Sequence, residues 1–212
     1  MKGKFITFEG IDGSGKTSQM EAVVEYLRSR GIFPVITREP GGTKIGEIIR
    51  DVLLDTRNRE MLPETEALLY AASRAQHVKE VILPALMKGK WVVCDRFLDA
   101  SLAYQGVARD IGIQRINEIN RLATGGIKPH LTLLLDVKPE MAAERKGFRK
   151  SDRLEREGLA FYEKVRQGYL MLAKVEPQRI KVIDGGKSFE MVKEEITNVL
   201  EEFLSKAGGQ KK

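Results

Sequence analysis

The segment Gly10-Ile11-Asp12-Gly13-Ser14-Gly15-Lys16-Thr17 constrains this chain more than any other feature. It fits the pattern G-x-x-x-x-G-K-[ST]. It follows an apolar run, Phe5 to Phe8, and precedes a helical pattern in which Met20, Val23, Val24 and Leu27 share a face. Four fixed positions of these types coincide by chance in about one chain per hundred of this length. The glycines let the backbone wrap phosphate oxygens with its amide N–H groups turned inward, and the following helix offers its positive end. Lys16 is placed to reach the β/γ-phosphates and Thr17 to ligate Mg²⁺, so the loop is read as a nucleoside triphosphate site. A second G-K-S, at Gly186-Lys187-Ser188, is a decoy. Lys181 stands where the first glycine belongs, and the stretch reads as a strand-to-helix turn with Ser188 as N-cap.

Four more apolar runs follow the first: Pro34 to Thr37, Trp91 to Cys94, Leu131 to Val137 and Ile180 to Ile183. Their near-continuous hydrophobicity suits strands buried on both faces, as in a parallel sheet. Helical patterns separate them: Ile45, Ile48, Ile49, Val52 and Leu53; the long segment Pro63 to Lys88; and Phe189, Val192, Ile196, Val199 and Phe203. Strand alternating with helix predicts an α/β, three-layer fold of the P-loop NTPase type, with a five-stranded parallel sheet flanked by helices. A single domain is expected over 1–206, with a mobile segment at about 145–156, where Gly147 interrupts a charged run, and a frayed tail at 207–212.

Composition narrows the function classes. One cysteine, Cys94, and two histidines argue against a disulfide framework and against a dedicated zinc site. No apolar run approaches the roughly 18 residues of a membrane span, and Phe5 to Phe8 is too short for a signal peptide, so a cytoplasmic protein is expected. Lysine and arginine exceed the acids by 36 − 30 = 6, which suits either nucleic acid or a polyanionic small ligand. A nucleotide kinase, a GTPase switch and an NTP-dependent nucleic-acid machine all use such a loop. No Asn-Lys pair occurs to begin a guanine-reading N-K-x-D motif, and no basic-aromatic repeat supports a nucleic-acid surface. The compact length favours a kinase.

Ligands of open α/β sheets gather at the carboxyl ends of strands. Arg38 closes the second run within Thr37-Arg38-Glu39-Pro40-Gly41-Gly42-Thr43, and Asp95-Arg96-Phe97 closes the third. An acid there can hold Mg²⁺ or its water, and an arginine can clamp a phosphate bidentately.

These motifs, with Leu68-Leu69-Tyr70-Ala71-Ala72-Ser73-Arg74 and with Ser101, Tyr104 and Gln105, resemble the thymidylate kinase family in order and spacing over nearly the whole chain. The resemblance implies transfer of the γ-phosphoryl group of ATP to dTMP, with Mg²⁺, in a cytosolic homodimer; another nucleoside-monophosphate or deoxynucleoside kinase is the alternative. It implies that Arg38 and Arg96 hold the dTMP phosphate, that Asp95 orients Arg96 or meets the Mg²⁺ shell, and that Asp12 meets the sugar 3′-OH and the phosphate region. Tyr70 would stack on thymine and Arg74 would donate to its O4. Ser101 and Gln105 would read the base edge or the sugar, and Tyr104 would crowd the 2′ position.

Some members of that family carry a catalytic arginine in the phosphate loop, where Gly13 stands here. The stretch Glu144 to Arg156 has six basic and three acidic residues, and it resembles the lid that supplies the arginine in the other subgroup. Arg149 is the expected donor, with Arg153 as runner-up, and Arg145 is expected to stack on adenine beside the turn from Asp184 to Ser188.

Overall fold

The computed structural model describes residues 3–147 and 152–208. Strands β1 (Phe5–Glu9), β2 (Val35–Arg38), β3 (Val92–Asp95), β4 (Leu131–Asp136) and β5 (Ile180–Asp184) form one sheet in the order β2-β3-β1-β4-β5. All neighbours pair in parallel, so every carboxyl end lies along the same edge.

The strands alternate between two apolar layers. Phe5, Val92, Cys94, Leu134 and Ile180 face one layer, and Ile6, Phe8, Val93, Leu133 and Ile183 the other. Helices α1 (Lys16–Ser29) and α9 (Phe189–Gly208) cover the second layer through Val23, Leu27, Val192 and Ile196. The first is covered by α3 (Pro63–His77), α6 (Ile113–Thr124) and α8 (Leu159–Val175), with α2 (Lys44–Leu54) packed on α3. The expectation that all five strands are buried on both faces fails for the two edge strands, β2 and β5, where Ile36 and Val182 are half exposed.

The segment expected as one helix from Pro63 to Lys88 is continuous but not uniform. Between α3 and α4 (Leu83–Met87) the backbone widens into a π turn over Val78–Ile82, where the Leu83 N–H reaches the carbonyl of Val78. Pro84 follows at once and has no N–H to donate to the preceding turn. A second π stretch, Leu102–Ala108, extends the short α5 (Leu98–Ser101) and carries Tyr104 and Gln105. Helix α7 (Pro139–Lys146) ends at Gly147, whose φ is 57°. Beyond the residues left undescribed, a 3₁₀ turn spans Leu154–Arg156. Lys146 and Glu155 form an ion pair (2.8 Å) that joins the end of α7 to this turn. Helix α9 runs on to Gly208, into the stretch expected as tail.

Candidate active site

The phosphate loop forms as its glycines require. Gly10, Gly13 and Gly15 have φ of 136°, 88° and 90°, the left-handed side that other residues avoid. A Cβ on Gly10 would lie 2.5 Å from the carbonyl oxygen of Leu135, and one on Gly13 would strike that of Ala142 in α7. Gly15 caps α1 without a side-chain acceptor, and no acid sits in the first turn. The N–H groups of that turn therefore face an anion unopposed. Lys16 is buried and donates to the carbonyls of Gly10 (3.1 Å) and Ile11 (2.9 Å). Burial, with Arg96 adding to it, lowers its ammonium below the ordinary value, against the pull of Asp95, Asp12 and Glu9. Thr17 is exposed beside it.

Arg96 ties this loop to a cleft. It follows β3 with φ of 67°, and its N–H donates to the Phe8 carbonyl (2.9 Å). Its guanidinium donates to Asp12 (2.8 Å), Tyr104 (3.2 Å) and Tyr169 of α8 (3.1 Å). Burial opposes the charge of Asp12, but Arg96 and Lys16 hold its carboxyl well below the usual carboxylate range. Behind Arg96, Glu9 is fully buried and accepts from Tyr169 Oη (2.7 Å) and the Phe97 N–H (2.8 Å). Burial, reinforced by Asp99, pushes its carboxyl up to about 8. Asp95 carries a buried Oδ1 with no partner among the described residues.

The cleft, open to solvent, holds about 470 Å³ of space and brings together Asp12, Tyr70, Arg96, Ser101, Tyr104 and Gln105 with Glu39, Arg50 and Leu54. Two arginines expected there lie elsewhere. Arg38 is half exposed and paired with Glu47 (2.7 Å). Arg74 is buried behind the cleft, where its guanidinium donates to Glu39 (2.7 Å), Ser101 (2.9 Å), Asn120 (2.6 Å) and the Phe97 carbonyl (3.1 Å). One hydrogen on its Nη2 remains without a partner among the described residues. Arg74 thus braces the wall of the cleft.

A second groove, of about 640 Å³, borders Ser14 and Gly15 of the same loop and includes Gln19, Gly185, Ser188 and Phe189. Arg145 lines it and donates to the Gly185 carbonyl (2.7 Å), beside the turn expected to border adenine. Ser188 accepts weakly from the Met191 N–H (3.4 Å), as an N-cap would. Arg149 lies outside the described residues. The runner-up, Arg153, is buried, with its guanidinium donating to Glu66 (2.6 Å) and the Leu53 carbonyl (2.8 Å).

Several site residues escaped the sequence. Glu9 stood next to Gly10, a charge ending an otherwise apolar strand, and that mismatch was a usable signal. Arg50 gave none, since it reads as the wet side of an amphipathic helix. Tyr169 and Glu66 reach the site only through folding.

A phosphate loop bordered by two clefts, one walled by tyrosines and an arginine at a strand end, defines the class: a P-loop nucleotide kinase. The sequence model of the family described as thymidylate kinase matches residues 8–196. The thymidylate kinase of Symbiobacterium thermophilum is 50% identical over 200 residues, covering 94% of each chain. That of Thermoanaerobacter sp. is 51% identical over 204 residues, covering 96% of this chain and all of the relative. That of Pelotomaculum thermopropionicum is 52% identical over 206 residues, covering 96% and 95%. The chain belongs to the thymidylate kinase family.

Proposed function

We propose that this enzyme transfers the γ-phosphoryl group of ATP to dTMP, with dTMP in the tyrosine-lined cleft and ATP across the phosphate loop. The observation that carries the reading is the Arg96–Asp12 pair, because one guanidinium joins the donor loop to the acceptor cleft. Phosphoryl transfer needs positioning and charge neutralisation more than covalent chemistry. Arg96 holds the dTMP phosphate in line with the donor, and Lys16 with the loop amides of Gly10 to Thr17 holds the β/γ-phosphates. Arg38 serves the same phosphate after leaving Glu47, and Arg50, which lines the cleft, stands beside it. Tyr70 stacks on the base, Ser101 and Gln105 meet its edge, Tyr104 crowds the 2′ position, and Arg145 covers adenine. Arg149 reaches the transferring group.

Thr17 and Asp95 suit Mg²⁺. Both offer hard oxygen donors, and the buried, unpartnered Asp95 Oδ1 is an acceptor in need of a ligand. Bound there, Mg²⁺ neutralises charge on the phosphates.

The same reading includes one kinase unit over 1–206 with a lid near 145–156, a cytoplasmic site of action, and a homodimer. The dimer is supported by α2, where Ile45, Ile48 and Val52 leave an apolar stripe exposed.

Incubation with Mg-ATP and a panel of dTMP, dUMP, UMP, AMP and thymidine, followed by ADP release, tests the proposal. Turnover is expected with dTMP well above the rest, and preference for thymidine or AMP overturns it. Arg149→Ala is expected to lower kcat by at least ~10²-fold with dTMP binding little changed.

A further inference from the structure

Gln105 and Arg109, from one stretch of chain, and Arg153, from another, converge on Glu66, which is 1% exposed in the first turn of α3. Its Oε2 accepts from Arg153 (2.6 Å) and Arg109 (3.2 Å), and its Oε1 accepts from Gln105 Nε2 (2.9 Å). A carboxylate set against two guanidinium groups only accepts. Gln105 must therefore turn its amide nitrogen toward Glu66. Its Oε1 has no partner among the described residues, and the side chain lines the acceptor cleft. The edge left for a ligand is the amide oxygen with the second N–H beside it.

We propose that Glu66 is a positioning residue for base specificity, holding the Gln105 amide so that the cleft presents an acceptor to a base carrying a ring N–H. The proposal rests on the reading that dTMP is the acceptor substrate and that Gln105 meets the base edge. Thymine has N3–H between two carbonyls. The held amide matches it, with Oε1 accepting N3–H and the remaining N–H donating to a ring carbonyl. Cytosine presents a bare N3 beside an amino group and needs the amide flipped. The flip sets Oε1 against the Glu66 carboxylate, acceptor on acceptor with no proton between them. Selectivity against cytosine thus comes from a repulsion built one residue behind the contact.

The test compares kcat/KM for dTMP and dCMP, with ATP as donor, in the wild-type enzyme and in Glu66→Gln. Glutamine both donates and accepts, so it tolerates the flipped amide, and the dTMP:dCMP ratio is expected to fall by about tenfold or more. Both substrates meet the same pool of folded enzyme, so partial unfolding does not move the ratio. Glu66→Asp keeps an acceptor-only anion and is expected to retain the ratio even if both rates drop. Gln105→Met is expected to lower the ratio by itself, with Glu66→Gln adding nothing on top of it. A further drop in the double variant overturns the proposal, as does an unchanged ratio in Glu66→Gln.

Should Glu66→Gln prove too unstable to assay, the wild-type enzyme still decides. N3-methyl-dTMP is expected to lose about 10²-fold in kcat/KM against dTMP, and turnover equal to that of dTMP overturns the proposal. A wild-type enzyme that does not turn over dTMP removes the proposed function and this inference with it. Turnover of dTMP with the ratio unmoved in Glu66→Gln removes this inference alone.

Discussion

Arg96 shows how a single side chain is specified by position and then fixed by neighbours. Its left-handed φ of 67° costs on the order of 1–3 kcal/mol for a residue other than glycine. That conformation aims the guanidinium at Asp12, Tyr104 and Tyr169 together. A lysine keeps the charge but not the planar fork, so Arg96→Lys is expected to lower kcat/KM by at least ~10²-fold in an ADP-release assay. Glu9 makes a pH prediction. Its carboxyl is raised from an ordinary 4.5 to about 8 by burial and then by Asp99. Between those values the folded state keeps a proton that the unfolded state has released, so this group's contribution to stability falls as pH rises through that window. Glu9→Gln is expected to flatten that part of a melting-temperature profile; a slope equal to wild type refutes the assignment. Arg96 was legible because it ends a strand beside a phosphate loop. The parts played by Arg74 and Arg153 were not. Their partners Glu39 and Glu66 lie 35 and 87 residues away, and spacing along a helix says nothing about a buried carboxylate on another element.

Elements were easier to read than their edges. All five strands were visible as apolar runs because a parallel sheet covered on both faces needs them. The partial exposure of β2 and β5 was hidden, since strand order decides which runs lie at the rim. The π turns were hidden as well. Pro84 marks a disturbance in the sequence, but whether a helix breaks or widens depends on what it packs against. Gly13 yields a prediction at this scale. Its φ of 88° and its contact with the Ala142 carbonyl leave no room for a side chain. Gly13→Arg, which places an arginine in the loop, is expected to lower the melting temperature and kcat/KM together by displacing α7. A gain in kcat/KM with unchanged stability refutes it.

At the scale of the whole molecule, α2 divides its apolar residues between a buried and an exposed face. Leu53 is buried against this chain, whereas Ile45, Ile48 and Val52 face outward. If a second copy covers that stripe, Ile48→Glu is expected to halve the sedimenting mass at micromolar concentration, and a wild-type monomer under the same conditions refutes the dimer. The surplus of six positive charges takes on meaning at this scale too. Arg96 lines one cleft and Arg145 the other, while Arg153 and Arg109 neutralise a buried glutamate. The sequence by itself determined the α/β alternation, the phosphate loop and the strand ends that carry Asp95 and Arg96. Each of these rests on local periodicity and on backbone angles that particular residues permit. Only the tertiary structure decided which arginines line a cleft and which brace a wall. That choice depends on carboxylates brought from remote elements into a site of low dielectric, where an unpaired charge is costly and a paired one is held fast.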